Sequence, residues 1–282
     1  MDLDLTLLER SIPSPQALAR TYEHRSYDDS WDVVLDYWRT MSTAEEHPDK
    51  GSAALASMLD LPRSRIRPWL DDGAEPAPVA AIRTAYDRDW FVDDFSLPAT
   101  EGTALATFVM WIFAGGSITR DYVPQFVLRR GDRYESLGRL VDAAEYFGVD
   151  LTERQRLPGR SNEFVPTSNA SIFGRVLHAA GAPVGRKGEQ ELSLPAWLVD
   201  GPMNVKRAAA VTYMGERMGP AGLSGVLQHR WELVSEQFLH QVGRLLVDVC
   251  GGSYVVKHDH LRLDIDATRT AKRLLTEYSE WP

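Results

Sequence analysis

Apolar residues fall at helical spacing first in Ser30–Arg39, where Trp31, Val34, Leu35 and Trp38 share one face. The spacing predicts a helix there that packs on the next unit, within an acidic stretch covering residues 1–45. Ser52–Leu59 follows as a short helix with Leu55, Ala56 and Leu59 inward. Asp60-Leu61-Pro62 reads as a turn, because Asp tolerates left-handed backbone and Pro suits the entry to a helix. Arg63–Leu70 is then helical, with Ile66, Trp69 and Leu70 inward. Pro68 lies inside it and is expected to kink or shorten it. A Pro- and acid-rich break covers Asp71–Pro78, a closing helix Val79–Tyr86, and residues 87–98 read as a linker.

A different pattern begins near Leu97. The segment through Phe113 is hydrophobic nearly all round, which predicts a buried helix, and it is too short to span a membrane. Glu101 suits the positive helix end, Thr100 or Thr103 is a candidate cap, and Gly115-Gly116 closes the segment. Strand follows from Ser117. Tyr122–Arg129 is β-like, with Pro124 marking an edge or bulge. Glu135–Phe147 is an amphipathic helix stopped by Gly148. Residues 150–166 form a hairpin around Pro158-Gly159, and Asn169–Ala180 a helix stopped at Gly181-Ala182-Pro183. The same order then returns. Met203–Met218 is helix, Gly222–His229 strand, Trp231–Val249 helix, Ser253–Asp266 a strand pair and Ala267–Tyr278 the last helix. An α+β chain with an internal duplication is the fold this order predicts.

Phe108-Val-Met-Trp-Ile-Phe-Ala-Gly-Gly116 resembles the signature helix of the LAGLIDADG homing endonucleases, with Phe108 at its first position and Gly116 at its last. Leu194-Pro-Ala-Trp-Leu198, Pro202 and Val205–Glu216 resemble the entry to that family's second signature helix. Phe173-Gly-Arg-Val-Leu177 and Gly181–Lys187 resemble the segment between its repeats. The resemblance implies a pseudo-symmetric αββαββα domain over 97–282, with repeat one at 97–182 and repeat two at 194–282. It also implies a twisted sheet laid along the DNA major groove. The family's metal-binding acids fall here on Gly115 and Glu216, and Arg217 replaces the glycine after the second. A divalent cation needs hard oxygen ligands, and glycine offers no side-chain oxygen. The expectation is therefore a vestigial site at Gly115 and Glu216, with no catalytic residue, no metal and no cofactor.

Ser52–Leu70 adds a second resemblance, to the helix-turn-helix of DNA-binding regulators, at about 51–70 within a small all-α domain of residues 1–90. In that motif the second helix places its early residues against base edges. Here those are Arg63, Ser64, Arg65 and Arg67, and no acid stands among residues 61–70. The joined modules resemble the content of WhiA-type bacterial regulators, in reversed order. The sheet arginines Arg120, Arg129, Arg130 and Arg133, with Arg154, Arg156 and Arg160 in the first hairpin, are candidate phosphate or base contacts. The competing reading is a solvated edge salted by Asp121, Asp132 and Glu153.

Composition changes this picture little. The 282 residues are long enough for one large or two ordinary domains, and 44% hydrophobic content supports real cores. A single cysteine, Cys250, excludes an internal disulfide framework and suits a buried helix-end thiol in a cytoplasmic protein. The net charge of −9 argues weakly against DNA, because binding follows local patches. His258-Asp259-His260 lacks third and fourth ligands at metal-site spacing and reads as a polar sheet face. The combined expectation is a non-catalytic, sequence-specific double-stranded DNA-binding protein, a transcription regulator. It is expected to be monomeric with internal pseudo-two-fold symmetry, and membrane-free. The rivals are a LAGLIDADG endonuclease or nickase acting through Glu216, and a ligand-sensing or protein-interaction module that no longer binds DNA.

Overall fold

A computed structural model describes residues 10–23, 29–93, 99–128, 135–154, 162–218, 226–228, 235–257 and 260–277. The chain is mixed helix and small antiparallel sheet, of the α+β class. Its N-terminal third is helical: α1 (Pro15–Arg20), α2 (Ser30–Glu46), α3 (Ser52–Leu59), α4 (Arg63–Asp71) and α5 (Ala77–Asp87). The short strands β1 (Ser11–Ile12) and β2 (Val92–Asp93) pair across that region. Asp29 caps α2 by accepting from the amides of Trp31 and Asp32, which satisfies two of the donors that a helix start leaves open.

The rest is arranged around two long helices, α6 (Ala99–Ala114) and, later in the chain, the helix Met203–Arg217. Every residue from Gly102 to Ala114 is buried, as the all-round apolar pattern of that segment predicts. The helix starts at Ala99, so Thr100 and Thr103 lie inside it and do not cap it. Thr103 instead accepts, through its carbonyl, from the Thr107 hydroxyl one turn on. At the other end the amides of Gly115 and Gly116 both donate to the Trp111 carbonyl. A Cβ on Gly116 would lie 2.7 Å from the Gln125 carbonyl oxygen, so the strand passes too close for any side chain.

After α6 come β3 (Ser117–Ile118), β4 (Pro124–Val127), α7 (Glu135–Tyr146), β5 (Leu151–Arg154), β6 (Glu163–Pro166) and α8 (Ala170–Ala179). The four strands form one antiparallel sheet in the order β3-β4-β6-β5. A 3-10 turn (Lys187–Glu189) and α9 (Ala196–Val199) lead into α10, the helix Met203–Arg217. Then follow β7 (Val226–Gln228), α11 (Glu236–Cys250), β8 (Tyr254–Lys257), β9 (His260–Leu263) and α12 (Ile265–Glu277). The second sheet runs β7-β9-β8, the same relative order as β4-β6-β5 in the first.

One hydrophobic core runs from Ile12 and Leu18 through α6 and α10 to Leu274. Trp90, expected in a linker, is buried in it. Its indole donates to the Phe147 carbonyl at 2.8 Å, and its ring lies 5.0 Å from Phe173. A large aromatic with a partner for its N–H is worth more inside than in solvent, so the chain is packed at Trp90 and Val92. Arg175 of α8 fixes the same junction. Its guanidinium sits 3.8 Å from the ring centroids of both Tyr22 and Tyr122, and it donates to the Thr21 carbonyl and hydroxyl. A second, smaller core holds Val33, Leu55, Ala56, Ile66 and Trp69.

Candidate nucleic-acid interface and the helix-end site

α6 and α10 run parallel and pack against each other. Asn204 at the start of α10 reaches the Thr103 hydroxyl near the start of α6. At the far end a Cβ on Gly115 would stand 3.1 Å from the Glu216 carboxylate. The two positions that the sequence pairs by motif are therefore adjacent in space. Glu216 is buried there.

Lys187 joins the same end from the segment between the two sheets. Val184 bridges to Ile118, and the Gly185 amide donates to the Ile118 carbonyl at 2.7 Å, which lays that segment along β3. The Lys187 ammonium donates to the Phe113 carbonyl at 3.1 Å. Burial, and then the charge of Arg217, pull its pKa down to about 7. The Arg217 Nε is itself buried without a hydrogen-bond partner among the described residues. Lys187 also lines an open cleft of about 910 Å³, formed by Ser117–Arg120 and Gly185–Glu189. Sequence reasoning singled out Gly115, Glu216 and Arg217 but passed over Lys187. Its signal was a Lys ending a segment already matched to the inter-repeat region.

The α3–turn–α4 unit is built as its residues dictate. Asp60 takes the left-handed conformation (φ 54°), and the Leu61 amide donates to the Ala56 carbonyl. The unit leans on α2 through Tyr37, whose ring meets Trp69 edge-on at 5.4 Å. α4 continues past Pro68 to Asp71. The lost amide would have served Ser64, which is exposed, so water can replace the missing bond. Arg63, Ser64 and Arg67 are exposed on this helix. Arg67 pairs with Asp71 at 3.6 Å, and half-buried Arg65 pairs with Asp36 of α2 at 3.0 Å. Arg65 thus ties α4 to α2, which leaves Arg63 as the more available cation.

The sheets contribute the remaining candidates. Arg120 is exposed in the turn after β3, and Arg154 is exposed at the end of β5. Arg129, Arg130, Arg133, Arg156 and Arg160 lie outside the described residues. Sequence reasoning expected the strands of the second sheet but named no candidate contact on them. Register places Val255 opposite Arg262 and Lys257 opposite His260, so these four share one face. Val255, Lys257 and Arg262 are exposed, while Leu261 and Leu263 point into the core. The period of two along Tyr254–Lys257 was the signal available. His258 and Asp259 lie outside the described residues, and no metal-holding group of His, Cys, Asp or Glu occurs among those described. Cys250 ends α11 buried, and burial pushes its thiol up to about 11. No helix among the described residues is long and apolar enough to cross a membrane. Comparison with protein-family models, curated proteins and solved structures finds no match to this chain.

Proposed function

We propose that this chain is a non-catalytic, sequence-specific double-stranded DNA-binding protein that regulates transcription. It would combine a helix-turn-helix with a two-repeat LAGLIDADG-like domain. The observation that carries the reading is the parallel α6–α10 pair, flanked by sheets of the same strand order, with Gly115 facing Glu216 at its end. Such a pair would set two sheet faces side by side. Arg154 on one, and Lys257 and Arg262 on the other, would meet phosphates or bases, while Arg63 and Ser64 of α4 read a neighbouring groove.

The same observation favours binding over cutting. Metal-assisted phosphodiester cleavage uses carboxylates that hold the ions on both sides of the scissile phosphate. Here one helix end offers Glu216 and the other offers Gly115, with Lys187 and Arg217 already close by. Selection of bound duplexes from a random pool, followed by incubation of the enriched site with magnesium or manganese, tests both halves. Enrichment of a defined site that stays uncut is the expected result. Failure to retain any duplex at low salt, where counterion release most favours binding, would refute DNA binding. Cutting that is lost in Glu216→Gln would refute the non-catalytic reading.

A further inference from the structure

We propose that the cleft between β3 and the Gly185–Glu189 segment binds a small molecule through an oxyanion group, a phosphate or carboxylate, with Lys187, Arg120 and Arg186 as its cationic contacts. This inference does not depend on DNA binding.

The cleft volume of about 910 Å³ lies within the range of roughly 300–1,000 Å³ usual for small-ligand sites. Short residues line it beside Ile118: Ser117, Thr119 and two glycines stand among the charges. Thr119 Oγ1 accepts from the Val123 amide at 3.0 Å, which leaves its own proton to donate. A Cβ on Gly185 would meet nothing within 4 Å, so that wall is open to an incoming group.

The charges favour an anion. Arg120 comes from the turn after β3, and Arg186 and Lys187 from the segment laid along that strand. Arg217 stands behind Lys187 on α10. The acids nearby are Glu189, which holds Arg186 at 2.9 Å, Glu216 at the helix end, and Asp121, next to Arg120 in the turn after β3. The side chain that α6 ends on, Ala114, carries no charge, and α6 meets Lys187 through the Phe113 carbonyl. Arg120, Arg186, Lys187 and Arg217 against Asp121, Glu189 and Glu216 leave an excess of positive charge when Lys187 is protonated. Lys187 is the strained member, desolvated beside a second cation. A bound oxyanion would relieve both causes by supplying opposite charge.

That relief has a sign. An anion beside Lys187 raises its pKa above the free value of about 7. Below that pH the ammonium is already formed, and binding needs no proton. Above it, binding must take up a proton, so affinity falls with rising pH, by up to about tenfold per pH unit.

The test is calorimetric titration of the whole protein with inorganic sulfate, whose charge is constant between pH 6.5 and 8.5, at fixed ionic strength. Saturable binding that weakens about tenfold or more across this range is expected. Lys187→Met should weaken it at least tenfold and flatten the pH dependence, with the melting of the free variant as the folding control. Arg120→Ala, on an exposed side chain, should weaken binding yet keep the pH dependence. No saturable heat at about 20 mM sulfate, or equal binding by Lys187→Met, would overturn the proposal. So would absent sulfate binding combined with weaker duplex binding in both variants, which assigns the cleft to the DNA backbone.

Discussion

Replacing Gly115 with Asp would put a second carboxylate at the end of the α6–α10 pair, and its effect follows from the geometry there. A Cβ at position 115 stands 3.1 Å from Glu216 Oε2 and 3.5 Å from the Val127 carbonyl. The nearest atom is the mobile end of a side chain, and the backbone at Gly115 is not left-handed, so Gly115→Ala should cost little. Asp adds charge. Two carboxylates roughly 4 Å apart repel by about 4 kcal/mol at an effective dielectric of about 20. Lys187 and Arg217 offset part of this, which leaves a net cost of about 1–3 kcal/mol at neutral pH. Gly115→Asn has the same shape without the charge and isolates the electrostatic part.

The assay is urea unfolding of the three variants from pH 4 to 8, with and without magnesium. The like-charged pair has its pKa raised in the folded state. Its destabilisation is therefore absent below the unfolded carboxylate value of about 4 and grows to full size as pH rises through the folded value. Two carboxylates also make the oxygen site that Gly115 denies. Ten millimolar magnesium at a Kd of about 1 mM would return about 1.4 kcal/mol to Gly115→Asp alone. If Gly115→Asp matches Gly115→Asn at every pH, the two helix ends do not meet as described; if magnesium stabilises neither, Lys187 and Arg217 bar the ion even where two carboxylates stand.

Three other outcomes are expected. Arg63→Ala should weaken binding to all duplexes alike and lower the salt slope by about 1, as for a phosphate contact, whereas Arg65→Ala should also lower the melting temperature, because Arg65 bridges to Asp36; an affinity scan against salt with parallel melting curves separates the two. Ala209 is fully buried in α10, so Ala209→Leu should overpack and cost about 1–3 kcal/mol in urea unfolding; an unchanged midpoint would show a looser seam than the one described. Asp264 accepts from the Ala267 amide and from Ser253, which holds its carboxyl below the usual range; its contribution is present above the unfolded Asp value and lost as pH falls through the lower folded value, so Asp264→Asn should flatten the acid limb of stability against pH.

The readable parts of this chain are those whose cause is local. The length and all-round apolarity of Leu105–Phe113 specify a buried helix whatever surrounds it, and α6 is there. Asp60 and Pro62 carry their own turn, and α3 and α4 meet at it. Gly251 follows α11 with φ 71°, where the glycine pair marks a stop. The unreadable parts are long-range pairings of charge. Nothing near Arg65 says that Asp36 will hold it, and nothing near Arg175 says that Tyr22 and Tyr122 will sandwich it. Lys187 is the sharpest case: 74 positions separate it from Phe113, and only the laying of its segment along β3 brings them together. Trp90 escaped for the opposite reason. Polar neighbours such as Asp87, Arg88 and Asp89 masked one aromatic whose size and single donor are satisfied only by a distant carbonyl.

Those hidden cations bear on how the charge at the end of the helix pair is met. Two parallel helices bring their C-terminal ends together, and each end carries roughly half a negative charge in unsatisfied carbonyls. Glu216 adds a buried carboxylate to the same place. A divalent ion is one way to neutralise such a focus, but it needs ligand oxygens on both sides. Lys187 is another, and it is tethered. It binds the Phe113 carbonyl directly, so α6 gains a counter-charge at its last turn without any ion from solution. Arg217, one residue beyond Glu216, brings a second positive charge to α10. An incoming cation would have to displace side chains that the fold already holds. The absence of a side chain at Gly115 and the presence of Lys187 and Arg217 are thus parts of one electrostatic arrangement, in which tethered cations rather than ligand oxygens on both helices meet the charge of the paired ends.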